Sequence, residues 1–558
     1  MTSNVSLKKT KISKKTIVGV LIIIAIISLS LKLYTSDFTN PVNSDSLAYS
    51  LAAISHTQGD FSQSSHRGIG WSLFVSPFYS LIDSENFIDY SNAIKTISLT
   101  ISTGTTFIVY LLGRKFFNEK YSLVAASLFA FEPHLNFNSG LGLTEPLYHL
   151  VLIMAFYFLL NDKTKFFIPS LLLIGAAFWI RFGGLAFVVV FVIIYCITKR
   201  NSPNFLRNLA IGLVLFLLVI SPMLYQRDLQ FEDPFYYAYS QYVFTGSFEQ
   251  MVSIENKNTE TTMSDYIQQN GLPSFIYTFI LNGIFNILST TWTISFPYLF
   301  ILLPFGIMFS FRAFDQDKKR ITSNWLFIVL SLCSLILTFS IIPDKRHIFY
   351  LYPFLIIFSI IPLQRVTEYG LSTFSFSDKQ KTIFLVIVIS IVLILSMWFT
   401  MRYGEPDVLL ENEKYDFSHY VIQNFNGNSL REFGGSLDYL RYIYVEKSPE
   451  KFFNCDVEYN KNLCGYDKNN GFLQPITITG NSVEEIISKG QTYDLKYILV
   501  NKEKNDFHGF IDEIYFEEQN HPYLNKIFDS REFGYKKLEI KVFEIDYKKF
   551  SEYLKIEK

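Results

Sequence analysis

Apolar runs long enough to cross a bilayer recur through the first 400 residues of this 558-residue chain, and every second loop between them is basic. In lipid the backbone polar groups of such runs are satisfied within the segment only as helices, at about 20 residues per crossing. A multi-pass helical membrane protein is therefore the expected class. Spans are read at residues 16–34, 94–112, 121–137, a run ending at 160, 166–180, 185–198, 210–225, 294–311, 325–342, 348–363 and 382–399, with an interfacial helix at 275–288. The loops GRKFFNEK, NDKTK, KRNSPNFLR and FRAFDQDKKR fall on one side, which the positive-inside tendency makes the cytoplasm. Eleven spans then leave the N-terminus cytoplasmic and the C-terminus outside. A signal peptide is the rival reading of the first run. However, that run is about as long as a full crossing needs, and no A-x-A-like cleavage site follows it.

Charge divides the chain in the same place. Residues 401–558 hold 28 Asp and Glu against 21 Lys and Arg, while residues 1–400 hold 22 against 28. The whole is 18% charged with a mean hydropathy of +0.23, below the roughly 25% charge of a soluble protein. We expect a membrane domain over 1–400 and a soluble extracytoplasmic domain over 401–558. In the latter, LKYILV and KKLEIKVFEIDY alternate like strands, and SVEEIISKG reads as a helix stopped at Gly490, which suggests an α/β or α+β fold. Cys196 and Cys333 fall in spans and read as small apolar residues. Cys455 and Cys464 lie in the outer domain, where a disulfide is chemically allowed. No glycine-rich phosphate loop, internal repeat or zinc-type spacing occurs, and nothing points to nucleic acid.

Two outward loops are long, at residues 36–93 and 226–274. The first contains SDSLAYSLAAI, an amphipathic helix on its spacing, with Ser44 placed to cap it and Asp45 in its first turn. Taken alone, Asp45 needs no further role than complementing the helix dipole. Other outward charges accompany it: Arg67 with His66, Glu145 in GLTEPLY, Arg181 in the hairpin turn RFGG, and Lys345, Arg346 and His347 in PDKRH. Each has a bland reading. Glu145 fits a helix start, Arg181 fits snorkelling to headgroups, and Lys345 and Arg346 fit a turn anchor; the histidines read as packing groups. Charges at membrane depth are costly, though, and tend to be paired or used. The outward arginines also run against the positive-inside tendency. Carboxylates and cations gathered on one face suit an anionic, lipid-carried substrate, with arginine forks on a phosphate.

In order along the chain, DSLAYSLAA…HRGIGWSLFVSPFY, LTEPLYHLVLIMAFYFLL, IGAAFWIRFGGLAF and DKRHIFYLYPFLIIFSIIPL resemble the GT-C membrane glycosyltransferases, in the branch of protein O-mannosyltransferases and aminoarabinose transferases. The resemblance spans roughly residues 16 to 400. It implies transfer of one sugar from a polyprenyl-phosphate donor to a protein, lipid or glycan acceptor at the outer membrane face. By family position Asp45 would be the catalytic base. Arg67, Arg181, Lys345 and Arg346 would be the candidates for the donor phosphate. Glu145 would be a second acid, orienting substrate or sharing a divalent cation with Asp45; the resemblance leaves the metal open. Two departures stand out. A single acid, Asp45, lies between Ser44 and Ser46 where protein mannosyltransferases carry an acidic pair, and the oligosaccharyltransferase signature WWDYG is absent. A transporter or flippase of a lipid-linked or anionic substrate is the rival class, disfavoured because the charges gather at one face and no second half mirrors the first.

Overall fold

The computed structural model describes residues 13–84, 86–256, 261–311, 317–432, 434–447, 473–502 and 509–556. Among these, seven helical segments are long and apolar enough to cross a membrane: Lys14–Tyr34, Phe87–Gly113, Phe205–Phe231, Leu272–Thr293, Lys318–Ile341, Lys345–Thr373 and Asp378–Asn424. Four shorter apolar segments, Glu145–Leu159, Thr164–Ile180, Gly184–Lys199 and Pro297–Ser310, pack between them. Their core is mostly aliphatic and aromatic, with Phe156, Phe191, Phe327 and Phe354 stacked edge to face at its centre.

Two stretches depart from the reading of the sequence. The run 121–137 is not one helix: it breaks into Glu119–Ala130 and Pro133–Ser139. Pro133 is the cause, since a proline forces the preceding residue out of helical geometry, and Glu132 sits at φ −64°, ψ 118°. The interfacial helix assigned to 275–288 is longer, Leu272–Thr293. It lies against the end of helix Lys318–Ile341: Gly283 abuts the Ile336 carbonyl, and Asn286 donates to the Phe339 carbonyl at 2.9 Å.

Beyond Tyr403 the chain forms helix Val408–Asn424 and a five-stranded mixed sheet. Its strands are β1 (Gly427–Leu430), β2 (Leu473–Ile476), β3 (Leu495–Asn501), β4 (Leu524–Asp529) and β5 (Ile540–Ile545), in the order β2-β1-β3-β5-β4. β1 runs parallel to β2 and β3, and β5 is antiparallel to β3 and β4. Alternation places Tyr497 and Leu499 on one face and Ile498 and Val500 on the other, each face covered by its own apolar cluster. Helix Val483–Gly490 packs beside the sheet, as its sequence suggests. Glu413 ties helix Val408–Asn424 to the chain leading into β5 by accepting from the backbone N–H groups of Lys536, Lys537 and Leu538 at 2.7–2.8 Å. Cys455 and Cys464 lie outside the described residues.

Candidate active site

The loop after the first span is built to bring Arg67 to Asp45. Helix Ser44–Thr57 buries Leu47, Ala48, Leu51 and Ala53 and turns Asp45 and Tyr49 to the opposite side. Ser44 is not its cap. Asn43 holds that position without a side-chain bond, and Ser44 adopts φ 45° with its hydroxyl 3.5 Å from Asp438 of the C-terminal domain. The chain then returns through HRGIGW. A Cβ on Gly68 would lie 2.5 Å from the Ile180 carbonyl oxygen, and one on Gly70 2.7 Å from the Ile180 nitrogen. These two glycines allow the loop to press its backbone on the helix end that leads into Arg181. Trp71 fixes the far side by donating to the Gly142 carbonyl at 2.9 Å.

Arg227 holds the same loop from below. Its guanidinium is fully buried and donates to the carbonyls of Ser64 at 3.0 Å, Ser65 at 3.4 Å and Tyr236, and to Gln63 Oε1 at 3.3 Å. The long outer loop crosses above it: Ala238 N–H donates to the Ser65 carbonyl at 3.0 Å, Tyr237 packs on Phe182, and Tyr239 packs on His66.

Here the charges meet. Asp45 Oδ1 accepts from Arg67 Nη2 at 2.9 Å, and Asp45 Oδ2 lies 3.8 Å from Arg346 Nη1. Arg346 is also held by Asp344, through Nη2 at 2.6 Å and Nε at 2.7 Å. Arg181 Nη1 donates to Glu145 Oε1 at 3.2 Å, and its Nη2 lies 3.4 Å from His347 Nδ1. The side chain of Glu145 is only 2% exposed, and its Oε2 is buried without a hydrogen-bond partner among the described residues. Tyr49 and Tyr148 lie 5.9 and 5.8 Å beneath the guanidinium groups of Arg67 and Arg181. Burial alone would raise the Asp45 carboxyl, but the Arg67 charge and hydrogen bond, with Arg346 beyond, hold it below the ordinary carboxylate range.

Beside this cluster opens a cavity of about 610 Å³, whose walls include Asp45, Lys345, Arg346, His134, Asn138 and Asp438. Lys345 is exposed there and adds a cation with no ion-pair partner among the described residues. Thus the six charged residues singled out in the sequence, Asp45, Arg67, Glu145, Arg181, Lys345 and Arg346, fall at one end of the bundle. Asp45 contacts Arg67 and Arg346, and Glu145 binds Arg181. Among the described residues no group of three His, Cys, Asp or Glu side chains is gathered that could hold a metal ion.

Sequence reasoning missed several members of this end. Asp344 stands next to Lys345 in PDKRH, but its chelation of Arg346 depends on the turn. Arg227 lay at the edge of a span and looked like a loop residue. Glu132 and His134 lay within the predicted third span, where a carboxylate in an apolar run was a visible signal. Asp438 is unremarkable in sequence and gains its place only by folding of the C-terminal domain.

Residues 85–226 match the family described as dolichyl-phosphate-mannose-protein mannosyltransferase. No curated protein matches the chain as a whole or in part. Among solved structures, the chain is similar to the oligosaccharyltransferase of Archaeoglobus fulgidus in its apo form, with 12% identity and a TM-score of 0.56 over 88% of this chain and 70% of that one. The same organism's oligosaccharyltransferase AglB, solved with an inhibitory peptide and a dolichol-phosphate, gives 13% identity and 0.56 over the same shares. ArnT from Cupriavidus metallidurans, bound to undecaprenyl phosphate, aligns over 95% of this chain and 98% of its own with 11% identity and a TM-score of 0.49. The fold expected from the sequence motifs is thereby shown.

Proposed function

We propose that this chain, which has the fold of the GT-C membrane glycosyltransferases, moves a single sugar from a polyprenyl-phosphate donor to a hydroxyl of a protein, lipid or glycan acceptor. We place the site at the extracytoplasmic face, with the N-terminus cytoplasmic and the C-terminal domain outside. The observation that carries the reading is the contact of Asp45 with Arg67 and Arg346 on the wall of a cavity at one end of the bundle. The phosphate-bearing lipid seen with AglB supports the donor class.

The chemistry needs a base for a weak nucleophile and a cradle for a leaving phosphate. As the acceptor oxygen bonds to the anomeric carbon, its O–H proton passes to an Asp45 oxygen. The bond from that carbon to the phosphate oxygen breaks on the opposite face, its electron pair staying on the phosphate, and the sugar is inverted. Arg67, Arg181, Lys345 and Arg346 stabilise the charge that develops there.

Asp45 is restrained by the very cations assigned to the phosphate, and this links the two halves of the reaction. The donor phosphate, a diester with a single negative charge, competes for the Arg67 and Arg346 forks, which pair with phosphate as they do with carboxylate. Asp45 is then released and becomes a stronger base only when the donor is in place. Glu145 acts separately, holding Arg181 and leaving its second oxygen for the sugar. The test is turnover of a panel of polyprenyl-phosphate monosaccharides by the purified protein in lipid. The reading predicts release or transfer of one sugar type, and its failure on every donor would count against the reading.

A further inference from the structure

The short helix Pro133–Ser139 presents a second polar group to the cavity, apart from the arginine–carboxylate cluster. Glu132, just before it, is wholly buried, and both of its oxygens are engaged: Oε1 by His134 Nδ1 at 3.1 Å, Oε2 by the Tyr298 hydroxyl at 2.8 Å. A buried carboxylate without a cation is expensive to keep in an apolar bundle, so its retention calls for a use. Accepting from Nδ1–H fixes the imidazole tautomer with its lone pair on Nε2, as carboxylate–histidine pairs do elsewhere.

The ring is held between Phe349 and Tyr352, with centroids at 6.2 and 6.5 Å, and it lines the cavity with its side chain 15% exposed. Because Nδ1 is spent on the buried carboxylate, the accessible edge carries Nε2. One oriented lone pair, on His134 Nε2, therefore faces the cavity, and no protein donor among the described residues answers it.

We infer that His134, oriented by Glu132, holds the acceptor by accepting a hydrogen bond from one of its O–H or N–H groups. The ligand this fits carries a hydrogen-bond donor, such as a polyol or the hydroxyl-bearing end of a glycan. The inference rests on the glycosyltransferase reading and adds a side to it: Asp45 takes the proton, while His134 holds the molecule that gives it.

The experiment uses the full chain in lipid, the polyprenyl-phosphate sugar it turns over, and glycerol at molar concentration as the probe acceptor. The ratio of glycosyl-glycerol to free sugar is read for wild type, His134→Phe, His134→Gln and Glu132→Gln. Loss of one hydrogen bond to the acceptor corresponds to about a tenfold fall in that ratio for His134→Phe. Hydrolysis of the donor by water should fall less than transfer does. His134→Gln keeps an acceptor oxygen and should recover part of the ratio, which a purely packing role would not produce. An unchanged ratio in His134→Phe, or equal loss of hydrolysis and transfer, would overturn the subsite. So would a wild type that hydrolyses donor but passes no sugar to glycerol. A wild type that turns over no donor would remove the glycosyltransferase reading itself.

Discussion

Asp45 and Arg67 are bonded at 2.9 Å although 22 residues and a helix separate them in the chain. The pair is the meeting point of the proposed base and the proposed phosphate cradle, and the exchange of Arg67 between carboxylate and phosphate is what would couple donor binding to base strength. The consequences can be measured separately.

Arg67→Lys keeps the charge but loses the planar two-point fork. Binding of undecaprenyl phosphate, used as a sugar-free probe, should weaken about 10- to 100-fold, in line with about 1.5–3 kcal/mol for a hydrogen bond to a charged group. Calorimetry or fluorescence titration in nanodiscs checks this. An unaltered affinity would place the phosphate elsewhere.

Gly68→Ala puts a methyl group 2.5 Å from the Ile180 carbonyl oxygen, so the loop must lift away from the Arg181 hairpin. Overpacking of this kind costs about 1–3 kcal/mol, and here it also displaces Arg67 from Asp45. Turnover should fall well beyond what the loss of thermal stability explains. Gly104→Ala, which meets nothing within 4 Å, is the matched control and should leave turnover unchanged and thermal stability no lower, since alanine is the better helix former.

Arg227→Met removes the buried guanidinium that answers the carbonyls of Ser64 and Ser65. Each buried acceptor left unpaired costs about 1–3 kcal/mol, so the variant should melt several degrees lower and expose the 63–67 loop to protease. Wild-type melting with wild-type cleavage would show the clamp to be dispensable.

Burial raises the Asp438 carboxyl to about 6, with Glu411 adding to the rise and Lys414 opposing it. A group whose folded value lies above its unfolded one contributes most to stability in acid, and the contribution is lost as pH rises through about 6. Asp438→Asn should therefore raise the melting temperature at pH 7.5 and leave it nearly unchanged near pH 4. A rise of equal size at both pH values would mean that desolvation of the carboxylate is not the cost.

Much of this molecule is legible in its sequence because membrane spans announce themselves through long apolar runs and one-sided basic loops. The charges Asp45, Arg67, Glu145, Arg181, Lys345 and Arg346 are legible for the same reason: each is expensive beside an apolar span. What stayed hidden depends on the third dimension. The pairing of Arg346 with Asp344 and Asp45 follows from a turn, and the burial of Arg227 follows from the docking of one loop on another. Read as one span, the run 121–137 hides Glu132 and His134, which gain their place only from the break at Pro133. Asp438 reaches Ser44 only because a separate domain packs on the bundle.

The most direct test of the central claim is turnover by Asp45→Asn, with undecaprenyl phosphate binding measured on the same preparation. The asparagine keeps size and a hydrogen-bonding oxygen for Arg67 but cannot take a proton. We predict turnover reduced about 10²- to 10⁴-fold, with the probe lipid bound at least as tightly as by wild type, since the competing carboxylate charge is gone. Turnover surviving at near wild-type rate would contradict the account and move the base to another group, with Glu145 the first to test.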